Sequence, residues 1–104
     1  MILTSTETIS GKNITATFGL VKGSSARARH VGRDLLAVAK NIVGGEVSEY
    51  TKLIGESREQ AVDRMKAEAE KLGANAIIGV RFTSSTISQG VSEILAYGTA
   101  VKTE

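Results

Sequence analysis

One histidine and a few nearby carboxylates are the residues of this chain best suited to metal chemistry. His30 and Asp34 are four residues apart, and Glu46 and Glu49 are three apart, spacings that place two side chains on one face of a helix. Because the chain has no cysteine, a metal site would have to use imidazole and carboxylate, which suit borderline or hard divalent ions. The pattern is compatible with a weak metal site to which each copy of a symmetric homo-oligomer contributes a ligand. The commoner interpretation is a surface histidine with acidic residues at a helix start.

A second candidate is the basic cluster formed by Arg27, Arg29 and Arg33. Arg27 and Arg29 share one face of a strand by its two-residue period, so the cluster could hold an anionic ligand. The alternative is charge that keeps an edge strand and a helix start soluble or forms ion pairs between subunits. No aromatic residue is interleaved with the arginines to stack on a base, so we expect no nucleic-acid binding.

Catalytic residues are not indicated. A serine, histidine and aspartate can be chosen from Ser24 or Ser25, His30 and Asp34, but residue types alone do not define the geometry of a triad. We therefore expect that the chain is not an enzyme.

Composition is that of an ordinary globular chain. The 104 residues are 41% hydrophobic and 23% charged, with a net charge of +2 and no proline, so residues 1–104 are predicted to form one domain without a linker. There is no basic start followed by a long apolar run, and no stretch approaches the roughly 20 apolar residues of a membrane span. We expect a cytoplasmic protein without a membrane partner.

Hydrophobic periodicity predicts a strand followed by two helices. Residues 13–29 alternate with a period of two, and the side predicted to be buried consists of Ile14, Ala16, Phe18 and Leu20. Gly19 and Gly23 predict a bend or bulge in this strand. Apolar residues at helical spacing then predict a short helix over 31–43 and a longer one over 46–73, either continuous or divided at Gly55. The pair Gly44 and Gly45 is predicted to end the first helix, with at least one of them at positive φ.

The last third of the chain predicts an antiparallel hairpin of strands 75–87 and 91–102. The second strand is apolar on both faces, since Leu95 and Tyr97 alternate with Ile94 and Ala96. Two helices can cover only one face of the sheet, so the other face predicts a homo-oligomer.

A set of residues spread over essentially the whole chain forms a recognisable pattern: Gly11, Gly19, Val21, Gly23, Arg33 to Leu35, Asn41 to Gly45, Tyr50, Ala61, Met65, Gly73 to Gly79 and Tyr97 to Val101. This pattern resembles the YbjQ-like family of small bacterial proteins. The resemblance implies an α+β fold of the dodecin-subunit-like kind, with an N-terminal β region, two helices and a C-terminal antiparallel hairpin, assembling into a pentameric ring. It also implies a description as heavy-metal-binding without an established activity.

Together these observations predict a ring-forming homo-oligomer that binds a metal or small ligand and performs no catalysis. A divalent metal ion is the one cofactor candidate, and its ligands would come from His30, Asp34, Glu46 and Glu49. The alternative is a scaffold whose ring binds a protein partner or an anionic ligand without metal.

Overall fold

The computed structural model describes residues 1–25, 48–88 and 91–104. They form strands β1 (Ile2–Leu3), β2 (Ile14–Ser24), β3 (Ala76–Ser88) and β4 (Val91–Thr103), with helix α1 (Ser48–Lys71) between β2 and β3. The sheet order is β1-β3-β4-β2; β1 runs parallel to β3, and the other neighbours are antiparallel. The α+β class is therefore confirmed. The helix predicted over 31–43 and the glycine pair 44–45 lie outside the described residues.

Strand β2 forms where the alternation predicts it, but its predicted buried face is wrong. Ile14, Phe18 and Leu20 are 37%, 39% and 67% exposed, whereas Val21 is fully buried. The pairing with β4 shifts register twice, between Ile14 and Ala16 and again between Thr17 and Gly19. Each shift inserts an extra residue and so changes which side chains face the helix.

The two glycines of β2 have different roles. Gly19 has φ +111° and lies at the second register shift, so the predicted bulge is confirmed there. Gly23 pairs regularly with Ala96, and a bulge at this position is wrong. Instead a Cβ at Gly23 would overlap the Ala61 carbonyl oxygen and the Met65 amide nitrogen of α1. Strand and helix backbones therefore approach each other closely at Gly23.

Helix α1 is a single continuous helix, so of the two alternatives for the longer predicted helix the division at Gly55 is wrong. Ala61, Met65 and Ala69 are fully buried and form the core with Val21, Ala74, Ile77, Ala96 and Ala100. Ser57 is also buried and lies within the helix, so it does not start a second one.

The helix ends in a Schellman motif. Gly73 has φ +87°, its N–H donates to the Glu70 carbonyl at 3.0 Å, and the Ala74 N–H donates to the Ala69 carbonyl at 3.1 Å. These two bonds satisfy carbonyls that the helix end would otherwise leave free. The left-handed conformation at position 73 favours glycine.

Strands β3 and β4 form the predicted hairpin. Between Ile78 and Arg81 the register shifts, and Gly79 adopts φ +61° there. At this bulge the Gly79 and Val80 amides bond the carbonyls of Thr6 and Thr4, which follow β1. The bulge therefore fastens the N-terminal segment to the sheet.

Asn75 joins three parts of the sheet. Its Nδ2 donates to the Thr103 carbonyl at 3.0 Å, and its Oδ1 accepts from the Thr103 N–H at 2.9 Å. Its backbone carbonyl accepts from Ile2, and its N–H donates to the Val101 carbonyl. One side chain thus replaces two ladder hydrogen bonds at the end of β4.

We expect Asn75→Ala to lower the free energy of unfolding by about 3 kcal/mol, because it leaves polar backbone groups of the buried Thr103 without partners. Asn13→Ala is the matched control, since Asn13 is exposed and bonds Glu104 through backbone atoms. Urea denaturation followed by circular dichroism measures both. Equal destabilisation by the two substitutions would show that the Asn75 side chain has no special role.

Candidate functional site

Most of the predicted ligands lie in one stretch of sequence. His30, Asp34 and Glu46 lie outside the described residues, as do the arginines of the basic cluster, Arg27, Arg29 and Arg33. Glu49 lies in the first turn of α1, where the structure describes the backbone but not the side chain. The structure therefore does not test whether these residues come together.

The described residues do not fit a heavy-metal centre. Soft metals prefer thiolates, and the chain has no cysteine. Within residues 1–25, 48–88 and 91–104 no group of three histidine, cysteine or carboxylate side chains could surround an ion. No step of a mechanism is therefore assigned to a metal.

A groove of about 970 Å³ lies between the first half of α1 and strand β3. Phe82 pairs with Ala96 and so lies on the helix side of the sheet, yet it is 50% exposed. Within the described part of the chain, the Oε1 of Gln60 in this groove is buried and has no hydrogen-bond partner. The groove thus combines an exposed aromatic ring with a buried hydrogen-bond acceptor. The lining residues are Gly55, Glu56, Arg58, Glu59, Gln60, Val62, Asp63 and Phe82.

A second groove of about 610 Å³ lies between the second half of α1 and the end of β2. Arg64 lies in this groove, and its Nη1 donates a hydrogen bond to the Ser24 carbonyl at 2.6 Å. Lys22 and Lys71 add two cations, while Glu68 and Glu93 add two carboxylates. The mixture leaves one net positive charge, too little to select an anion, and the Arg64 bond has a structural role in holding the strand end against the helix.

The most unusual surface of the described chain is the side of the sheet away from α1. Leu20 lies opposite Thr99 on this side and is 67% exposed, the highest value among the large apolar residues. Ile78, Leu95 and Tyr97 on the same side are half-buried. Among the described residues, the helix packs against the other side. We call the side bearing Leu20, Ile78, Leu95 and Tyr97 the outer face.

Sequence patterns do not identify Leu20, Phe82 or Arg64 as functional candidates. The alternation places Leu20 on the predicted buried face, which is wrong. Alternation shows that a strand has two different sides, but it does not show which side packs against the helix. Phe82 carried a signal, since it is one of only four aromatic residues. Arg64 carried none, because its role depends on a carbonyl 40 positions away.

The fold defines the class of protein before any comparison: a small α+β domain with a mixed four-stranded sheet, one described helix and an exposed leucine on the side of the sheet away from that helix. No described helix has the length and apolar content to cross a membrane. Over residues 1–104 the chain matches the family described as "Putative heavy-metal-binding". The chain belongs to this family, the YbjQ-like family.

Relatives in the same family cover nearly the whole chain. A UPF0145 protein from Dehalococcoides mccartyi is 54% identical over 104 residues, covering 100% of both chains. A UPF0145 protein from Methanosarcina acetivorans is 50% identical over 102 residues, covering 98% of this chain and 96% of its own. These names describe an uncharacterised family.

A solved structure supports the fold. The crystal structure of a DUF74-family protein of unknown function from Pediococcus pentosaceus has a TM-score of 0.63, covers 100% of this chain and 98% of its own, and is 17% identical. At this identity the likeness concerns the fold alone.

Proposed function

We propose that the chain is a cytoplasmic, non-catalytic homo-oligomer whose copies assemble into a ring through the outer face and the edge of β2. The observation that carries the proposal is the 67% exposure of Leu20 on a strand at the edge of the sheet. The resemblance to a ring-forming fold supports the closed arrangement.

Energetics favour covering this surface. Full burial of a leucine side chain contributes about 1.5–3 kcal/mol, and Phe18 is another exposed apolar side chain of β2. An exposed edge strand with apolar residues also invites other chains unless something covers it. A copy of the same chain is the partner that is always available at matching concentration.

Native mass spectrometry tests the ring. We expect one dominant species with a fixed number of copies, five by the resemblance, because a ring closes at one number. A dimer, or a ladder of growing polymers, would contradict a closed ring.

A second candidate function is weak binding of a divalent metal or small ligand, which the family description favours. The chain would supply His30 with Asp34, and Glu46 with Glu49, from several copies of the ring. The sequence spacing and the absence of cysteine support borderline ions such as zinc rather than thiophilic ones. If these residues hold no metal, the ring remains as a scaffold for a protein partner or an anionic ligand.

Calorimetric titration of metal-stripped protein with zinc checks this second function. We expect weak binding that His30→Ala abolishes and that weakens as the pH falls below the ordinary histidine pKa of about 6.5, because the protonated ring cannot ligate. Binding that Asp34→Asn weakens as well would support the paired site. Tight binding of cadmium that does not depend on pH would contradict the assignment.

A further inference from the structure

The described sheet has two long edges that differ from each other. One is β2, which pairs with β4 on one side only. The other is the part of β3 that follows Arg81. The backbone of the N-terminal segment is hydrogen-bonded to β3 only as far as Val80, and the last contact is the hydrogen bond from the Arg81 side chain to the Ser5 carbonyl. Within residues 1–25, 48–88 and 91–104, no strand pairs with either edge.

Hydrogen-bond alternation shows which groups of β2 face outward. The Ser25 N–H donates to the Ile94 carbonyl of β4 at 2.9 Å. Backbone groups along a strand point alternately toward and away from one neighbour. Gly23 therefore points toward β4 as Ser25 does, and the N–H and carbonyl groups of Lys22 and Ser24 point away from it.

The same alternation applies to β3. Leu95 precedes Ala96 along β4, and Ala96 pairs with Gly23 of β2. The backbone groups of Leu95 consequently point the other way, toward Thr83 opposite them on β3. The N–H and carbonyl of Ser84, one residue further, point away from β4 to the free edge.

Both edges carry little of the usual protection against pairing. Proteins block free edges with proline, with charged side chains or with very short strands. The chain has no proline, β2 has 11 residues with Lys22 as its single charge, and residues 82–88 of β3 carry no charge. Apart from the Ser24 carbonyl, which accepts from Arg64, the outward-facing donors and acceptors of both edges have no strand partner among the described residues.

We propose that the outer edge of β2 in one copy pairs with the free edge of β3 in the next copy, so that the sheets of neighbouring copies are continuous. The inference rests on the proposed ring and names the surfaces that build it. A ring requires a heterologous interface, in which two different surfaces of the chain meet. Pairing β2 with β2 of a second copy would give a closed dimer, whereas pairing unlike edges propagates until the ring closes.

Proline substitutions at outward-facing amides test the pairing. Proline is tolerated on an edge strand where its nitrogen faces solvent, so Lys22→Pro and Ser84→Pro should fold as separate copies and lose the interface on one edge each. Thr83→Pro is the control, because the Thr83 N–H faces β4 and its loss should destabilise the sheet itself. We expect each edge variant alone to sediment as a monomer.

Mixing the two edge variants gives the sharpest result. Lys22→Pro keeps an intact β3 edge and Ser84→Pro keeps an intact β2 edge, so the equimolar mixture should form a heterodimer and nothing larger. If both variants retain the oligomer of the unmodified chain, the edge pairing is wrong while the proposed oligomer stands. If only one variant becomes monomeric, the interface is not between unlike edges. An unmodified chain that is itself monomeric would instead overturn the proposed function.

Hydrogen exchange on the unmodified chain gives a second test, which does not depend on the folding of a variant. The Lys22 and Ser84 amides have no partner among the described residues of their own copy, so in an isolated copy they should exchange as fast as exposed amides. We expect them to be protected in the oligomer to the same degree as the Gly23 and Thr83 amides beside them. Fast exchange of Lys22 and Ser84 in an oligomeric sample would overturn the pairing.

Discussion

Replacing Gly23 by alanine should destabilise the fold by about 3 kcal/mol or more, a large part of the 5–15 kcal/mol typical of a domain. The added Cβ would overlap the Ala61 carbonyl oxygen and the Met65 amide nitrogen and lie 2.8 Å from the Arg64 Cβ. Two of these three atoms belong to the helix backbone and cannot swing aside. The helix would have to move away from the sheet, and the contacts of the fully buried Met65 would be lost.

Gly19→Ala is the matched control for this experiment. A Cβ at Gly19 meets nothing within 4 Å, but φ is +111°, so this substitution costs only backbone strain of about 1–2 kcal/mol. Thermal or urea unfolding of the two variants separates steric overlap from backbone conformation. A smaller loss for Gly23→Ala than for Gly19→Ala would mean that strand and helix are not in close contact at Gly23.

Replacing Leu20 by lysine should leave the fold intact and raise the dissociation constant of each interface by about tenfold to a hundredfold. The side chain is 67% exposed in the single copy, so the substitution removes little from the core. In the proposed ring it removes about 1–2 kcal/mol of apolar burial, because one third of the side chain is already covered in the single copy, and it places a charge at the interface. Each 1.4 kcal/mol corresponds to a factor of ten.

Leu72→Lys provides the matched control, since Leu72 is another exposed leucine, 45% exposed, at the end of α1. A lysine there also suits the negative end of the helix dipole. Sedimentation at several concentrations should show weaker assembly for Leu20→Lys and unchanged assembly for Leu72→Lys. Equal behaviour of the two variants would remove Leu20 from the interface.

The sequence predicted the elements whose hydrophobic period is regular. Helix α1 and the β3–β4 hairpin were predicted within a few residues, because the stripe through Ala61, Met65 and Ala69 and the β-rich runs on either side of the turn have no competing interpretation. The end of the helix was also predictable from Gly73, since a helix of this kind commonly ends at a left-handed glycine.

The face of β2 was not predictable, for a physical reason. The residues on its two sides are Phe18 and Leu20 on one and Val21 and Gly23 on the other, so apolar size favours the wrong side. The fold buries the side with the smaller residues, because the helix backbone approaches Gly23 more closely than any larger side chain would allow. Large apolar residues are left on the surface as a consequence.

The motifs that carry the family resemblance have structural roles in the described chain. Gly73 ends the helix, Asn75 binds the end of β4 and Gly79 forms a bulge. Gly98 leaves room for Ile77, whose Cγ2 would lie 2.7 Å from an added Cβ. Sequence similarity at these positions therefore preserves the fold.

Sedimentation velocity on the unmodified chain, from low to high micromolar concentration, tests the proposed assembly most directly. The exposed Leu20 and the two sheet edges that no described strand pairs with predict a single oligomeric species whose mass does not change across that range. A folded monomer at every concentration would contradict the account, because the outer face would then remain uncovered in solution.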